Sequence, residues 1–187
     1  MTVPGFDSRG LIPPYLGHAT APDRSPYEAT TEELVGSLGG SPARKKLLLG
    51  LLEYRELLGQ LGYTDGLQFI DGSFVEDVEK REGRSPNDID VFSFLVRPAH
   101  YQSDPNLWAS KGRVEWRNEI IDFTRNKTRF GLDTYAIAID EVGPYGCIMG
   151  TVYWYSLFSH KRTTHDWKGF LQVRLNSADD IKARAAL

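Results

Sequence analysis

Two aspartates stand two residues apart in the run Asn87-Asp88-Ile89-Asp90-Val91-Phe92-Ser93-Phe94-Leu95-Val96, which is rich in β-branched and aromatic strand formers. On a strand, residues i and i+2 share a face, with Cα atoms about 6.5–7 Å apart. Two carboxylates at that spacing repel each other, and a cation removes the repulsion. A pair of magnesium ions roughly 3.5–4 Å apart, bridged by such carboxylates, serves in-line displacement at phosphorus. One ion activates the attacking hydroxyl and the other neutralises charge on the leaving pyrophosphate. An isolated Asp-x-Asp more often just opens a strand at a solvated edge, so its surroundings decide.

Upstream, Leu67 to Ile70 is an apolar run that closes in Asp71-Gly72-Ser73. Glycine at such a turn lets phosphate approach the backbone, and the Ser73 hydroxyl with the following N–H groups can bind its oxygens. Downstream, Asp133 heads the apolar run Leu132 to Ile139 and shares parity with Tyr135, Ile137 and Ile139. It is a better third ligand than Asp140, which reads with Glu141 as an exposed strand end. Lys161, Arg162 and Lys168, with His160 and His165, form the densest basic cluster, either a clamp for phosphate or a solvated loop. Arg125, Lys127 and Arg129 suggest a surface patch for nucleic acid. The four histidines (His18, His100, His160 and His165) lack zinc-motif spacing. Cys147, the only cysteine, reads as a small core residue, and no disulfide can form within the chain. Tyr153, Trp154 and Tyr155 read as core aromatics, with base stacking as the alternative.

The elements that must position these residues follow from pattern. Residues 1–30 hold five of the ten prolines and little periodicity, which predicts an extended arm, laid over the domain or frayed from it. Residues 31–187 then form one domain. Thr31 to Leu38 is a short helix closed by Gly39-Gly40. Ser41-Pro42 caps and starts a longer one, carried by Leu47, Leu48, Leu51, Leu52, Leu58 and Leu61 and stopped near Gly62. Glu76 to Asn87 is charged and holds Gly83 and Pro86, so it reads as a surface connection. Residues 113–127 read as helix, 132–139 and 169–175 as strands, 152–158 as helix or strand, and Ser177 as the cap of a final helix.

At 187 residues the chain can bury roughly 70% of the surface its unfolded form exposes, enough for one core. It is 41% hydrophobic and 25% charged, with a net charge of −3, so no whole-molecule field attracts nucleic acid. No apolar run predicts a secretory leader or a membrane span. A soluble cytoplasmic protein is the expectation.

An apolar run ending in Gly-Ser, an apolar-flanked Asp-x-Asp and a later apolar-flanked Asp resemble the polymerase-beta-like nucleotidyltransferase superfamily. Asp71-Gly72-Ser73-Phe74-Val75 with Pro86-Asn87-Asp88-Ile89-Asp90-Val91 resembles a bacterial branch of minimal catalytic domains, as do Gly10-Leu11-Ile12-Pro13-Pro14 and Trp167-Lys168-Gly169. The fourteen residues between Ser73 and Asp88 slightly exceed the family's spacing, and Glu79 to Ser85 fits a surface insertion. The resemblance implies an α+β fold, a small mixed β-sheet with helices packed on one side. It implies that Gly72 and Ser73 bind the phosphates of an NTP, that Asp88, Asp90 and Asp133 are catalytic and hold two Mg²⁺ ions, and that Asp133 helps activate the acceptor. The implied reaction moves NMP from an NTP to a hydroxyl on a protein, an RNA or a small molecule, with protein or tRNA favoured. Toxin–antitoxin or phage-defence modules are the implied setting, with a partner protein from a neighbouring gene. A catalytically silent module that binds nucleotide or a protein partner is the alternative.

Overall fold

The computed structural model describes residues 3–187; Met1 and Thr2 of the expected arm lie outside them. A five-stranded mixed sheet runs in the order β1-β5-β2-β3-β4. Its strands are β1 (Tyr27–Glu28), β2 (Gly66–Asp71), β3 (Ile89–Leu95), β4 (Leu132–Ala138) and β5 (Leu171–Arg174). β2 pairs antiparallel with both β3 and β5, whereas β4 runs parallel to β3 and β1 parallel to β5. The architecture is α+β.

Strand alternation sorts the side chains into two cores. One face carries Ile70, Ile89, Val91, Leu95, Leu132, Leu171 and Val173, packed on α1 (Thr31–Leu38), α2 (Pro42–Gln60) and α9 (Ser177–Ala185). The other carries Phe69, Phe92, Phe94, Tyr135, Ile137 and Phe170. Against it lies α8 (Ile139–Phe158), whose Trp154 stacks on Phe92 with ring centroids 4.5 Å apart. Helices therefore cover both faces, which corrects the expectation of one covered side. The aromatic residues of strands 2 and 3 leave no polar face for water, and the stretch 152–158, open between helix and strand, is the helix that covers them.

Local chemistry explains the helix ends. Thr30 and Glu33 form a reciprocal capping box at α1. Ser41 accepts from the Arg44 N–H at 3.3 Å, with Pro42 in the first turn of α2. The final helix is capped by Asn176 rather than Ser177. Between β3 and β4 the chain crosses over through α4 (Ala99–Ser103), α5 (Pro105–Leu107) and α6 (Arg113–Glu115), with π-helical turns at Trp108–Gly112 and Trp116–Ile120, and then α7 (Phe123–Phe130). The arm lies over the domain: Leu11 and Ile12 are fully buried and Tyr27 donates to the Pro13 carbonyl at 2.8 Å. Glu76 and Val78 are buried, so the charged segment before β3 is only partly surface, with α3 (Val78–Glu82) inside it. Asp140 and Glu141 open α8 instead of ending a strand, and Asp140 pairs with Arg97 at 2.8 Å.

The α2–α7 contact holds the crossover in place, and Gly50 makes it. A Cβ at this position would stand 2.0 Å from the Phe130 carbonyl oxygen. Gly59, on the same helix, has nothing within 4 Å of that point. Alanine gains helix propensity of about 1 kcal/mol over glycine, so Gly59→Ala should stabilise the fold by up to that amount. Gly50→Ala should destabilise it by roughly 1–3 kcal/mol despite the same gain, because α2 and α7 must separate. Denaturant melts of the two variants check this opposition of sign.

Candidate active site

The sheet brings three aspartates into one row. Asp71 is paired in register with Asp90, and Asp90 with Asp133, across β2, β3 and β4. All three belong to the face covered by α8, since they share parity with Phe69, Phe92 and Tyr135. Directly opposed side chains have Cβ atoms about 4.5–5.5 Å apart, so like charges there repel. Asp88, one residue before β3, adds a fourth carboxylate. Ligand atoms of Asp88, Asp90 and Asp133 lie within 4.8 Å of one another.

Three cations answer the four carboxylates. Lys127, on α7, reaches Asp88 at 2.7 Å and Asp133 at 2.9 Å. Gly131 caps α7 and β4 follows at once, so a lysine six residues before Asp133 folds back beside it. Arg162 reaches Asp90 at 3.3 Å from a side chain that is 68% exposed. Lys168, almost wholly buried, contacts both Asp71 and Glu76 at 3.0 Å and donates to the Gly72 carbonyl at 3.2 Å. Burial draws the Lys168 ammonium down, but Asp71 and Glu76 outweigh it and hold its pKa above the usual value. Lys161 pairs with Glu76 and Glu82. Of the expected basic cluster, two lysines are thus buried structural counterions, whereas Arg162 meets Asp90 from an exposed side chain. His165 lies outside the cavity lining, whereas His160 joins it.

Gly72 and Ser73 close β2. Gly72 has φ 87°, and a Cβ there would come 2.9 Å from Asp90 Oδ2. Both its backbone and its neighbour therefore require glycine. Ser73 begins a 3₁₀ turn, Ser73–Val75. Arg44 fixes that turn from α2, donating to the Phe74 and Glu76 carbonyls at 2.6 Å each while pairing with Glu79 at 2.8 Å. All the expected site residues, Gly72, Ser73, Asp88, Asp90 and Asp133, line one cavity of about 370 Å³ with Lys127, Arg162 and Lys168.

The donors fit a hard cation. Three carboxylates offer oxygen ligands alone, the set that suits magnesium, manganese or calcium. Asp133 Oδ1 is buried without a hydrogen bond, though Lys127 lies 2.9 Å away off the bonding direction. Such an oxygen suits a point charge.

Sequence reasoning missed Asp71, Glu76, Arg44 and the placement of Lys127. Asp71 was legible, since it shares strand parity with Phe69. The others act across 30 or more residues or, for Lys127, through a helix–strand reversal, and no local spacing announces them. The patch expected from Arg125, Lys127 and Arg129 is divided: Arg125 and Arg129 pair with Glu119, while Lys127 turns into the cavity.

A family profile described as a family of unknown function, DUF6932, matches residues 4–174, so the chain belongs to that family. No curated protein and no solved structure matches the chain.

Burial, followed by the charge of Asp71, lifts the Asp90 carboxyl from the usual 3.8 to about 6; Arg162 opposes the rise, and Asp88 and Asp133 add to it. A folded-state pKa above the unfolded one means that the native state binds more protons between those values. Stability is therefore lost as pH rises through that window, by on the order of 3 kcal/mol at most. Asp90→Asn removes the loss. In chelator, it should melt like wild type near pH 4 and above it at pH 7.5. Equal melting at both values would mean that Asp90 ionises without cost.

Proposed function

We propose that this DUF6932 chain is a magnesium-dependent nucleotidyltransferase of polymerase-beta-like fold, transferring NMP from an NTP to a hydroxyl of a protein or RNA acceptor. The observation that carries the reading is the meeting of Asp88, Asp90 and Asp133 within 4.8 Å in the cavity that also holds the Gly72-Ser73 turn. Magnesium held by these carboxylates would activate the acceptor hydroxyl and screen charge on the leaving pyrophosphate. The chain's own residues do the rest. Ser73 offers its hydroxyl and a free turn to phosphate oxygens, and Gly72 keeps their approach open. Arg44 and Lys168 hold that turn from both sides, so its donors need not reorganise when charge develops. Arg162, whose side chain is 68% exposed beside Asp90, supplies a cation for the triphosphate. Asp133, at the far end of the row, orients the acceptor hydroxyl.

One observation favours the second reading, a silent module that binds nucleotide or a partner. Lys127 already sits between Asp88 and Asp133, as a tethered substitute for a metal ion. Catalysis requires magnesium to displace it; a silent module keeps it.

Magnesium should raise the melting temperature of wild type, and of Lys127→Met at lower concentration, because the variant has lost the competing ammonium. Calorimetry with a non-hydrolysable NTP and magnesium should show Ser73→Ala binding about ten- to a hundredfold more weakly, the worth of one charge-assisted hydrogen bond. Labelled NTP with magnesium and cell lysate should label an acceptor. No magnesium stabilisation in either protein, and no binding of any NTP, would leave only the silent module that binds a protein partner.

A further inference from the structure

Outside the cavity, the largest anomaly is the outer side of α8. From Val142 to His160 the sequence holds no Asp, Glu, Lys or Arg. A helix that is apolar all round belongs in an interior, yet Phe158 is the single residue of α8 that is fully buried. Past the break at Gly143, positions 147, 150, 154, 157 and 158 turn to the sheet, where Trp154 and Phe158 pack in the aromatic core. Tyr145, Ile148, Met149, Val152 and Tyr153 recur at helical spacing on the opposite side and are 76%, 60%, 49%, 58% and 61% exposed. Trp167, 41% exposed, extends the stripe and shares a groove with Val152 and Tyr155.

We infer that this face is a twofold interface at which α8 of one copy packs against α8 of a second copy. Three observations choose that occupant. The stripe with Val142 and Trp167 exposes on the order of 700 Å², close to the roughly 800 Å² per partner of a standard interface. At a twofold interface a patch meets a second copy of itself, and from Val142 to His160 this face carries no Asp, Glu, Lys or Arg, so two copies join without like-charge repulsion. A membrane surface would be drawn by Lys or Arg along the polar side of such a helix, whereas Asp140 and Glu141 stand at its start and the chain carries −3. An unlike protein would need rim charges to set its register, and the stripe offers it none. Met149 and Val152 lie mid-stripe, nearest the axis. The inference does not rest on nucleotidyl transfer; the dimer stands or falls separately.

Light scattering on the full chain at micromolar concentration should give twice the 21.1 kDa of one copy. Val152→Glu places a carboxylate opposite its twin and should weaken the dimer at least about a hundredfold, with an unchanged circular dichroism spectrum. Covalent trapping guards against a variant that fails to fold. In a Cys147→Ala background, Met149→Cys should form a disulfide-linked dimer on mild oxidation, while Ile181→Cys, on α9 and more exposed, should not. A wild type that stays monomeric at high micromolar concentration overturns the inference, as does crosslinking that is no faster at 149 than at 181. Monomers that float with anionic vesicles would also overturn it and assign the face to a membrane.

Discussion

Three carboxylates in register across adjacent strands constitute the constraint on which the rest of this structure depends. Asp71, Asp90 and Asp133 point to one face of the sheet at its end, and directly opposed like charges destabilise a sheet. The fold answers with a cation for each: Lys168 from the loop before β5, Arg162 from the loop after α8, and Lys127 from the helix before β4. None of the three comes from the strands themselves. Much of the chain's connectivity beyond the core thus serves to deliver positive charge to one edge of the row.

The three cations are not equivalent, and their burial separates structure from chemistry. Removing one partner of a buried ion pair costs about 3–5 kcal/mol, because the other charge is left without water or counterion. Lys168, with a side chain 3% exposed, is of that kind: it joins Asp71, Glu76 and the Gly72 carbonyl into one block beneath the turn. An exposed pair is worth about 0–1 kcal/mol. Lys127 and Arg162 are 42% and 68% exposed, but Asp133 and Asp90 opposite them are 13% and 8% exposed, so these cations can leave only when another positive charge takes their place. A site with one fixed cation and two replaceable ones suits exchange of protein charges for a metal ion and a phosphate chain.

How much of this the sequence disclosed follows from the range of each interaction. Strand periodicity put Asp88 and Asp90 on one face; that Asp133, Gly72 and Ser73 join them was implied by the resemblance, because no local spacing relates one strand to another. Serine, proline and a leucine period marked α2, because those signals lie within a few residues. Residues 152–158 of α8 stayed open between helix and strand, since an aromatic run with apolar residues on both sides has no single period. That same ambiguity hid the second covered face. Lys168 read as part of a basic cluster because its partners, Asp71 and Glu76, lie more than ninety residues away. Glu76 read as surface because charge predicts exposure unless a buried cation reaches it, and that cation comes from distant chain.

The segment from Ser159 to Phe170 ties the cavity to the apolar face. It leaves α8 and folds back on itself, with Lys161 N–H donating to the Asp166 carbonyl at 2.9 Å and Lys168 N–H to the Ser159 carbonyl at 2.8 Å. Within that loop Lys161, Arg162 and Lys168 face the carboxylates, Trp167 faces the groove on α8, and Phe170 enters the aromatic core. His160 lines both the cavity and the groove. These two backbone bonds close the loop on itself and set Arg162 and Trp167 on different sides of it. The row of aspartates and the bare helix are two sides of one short loop.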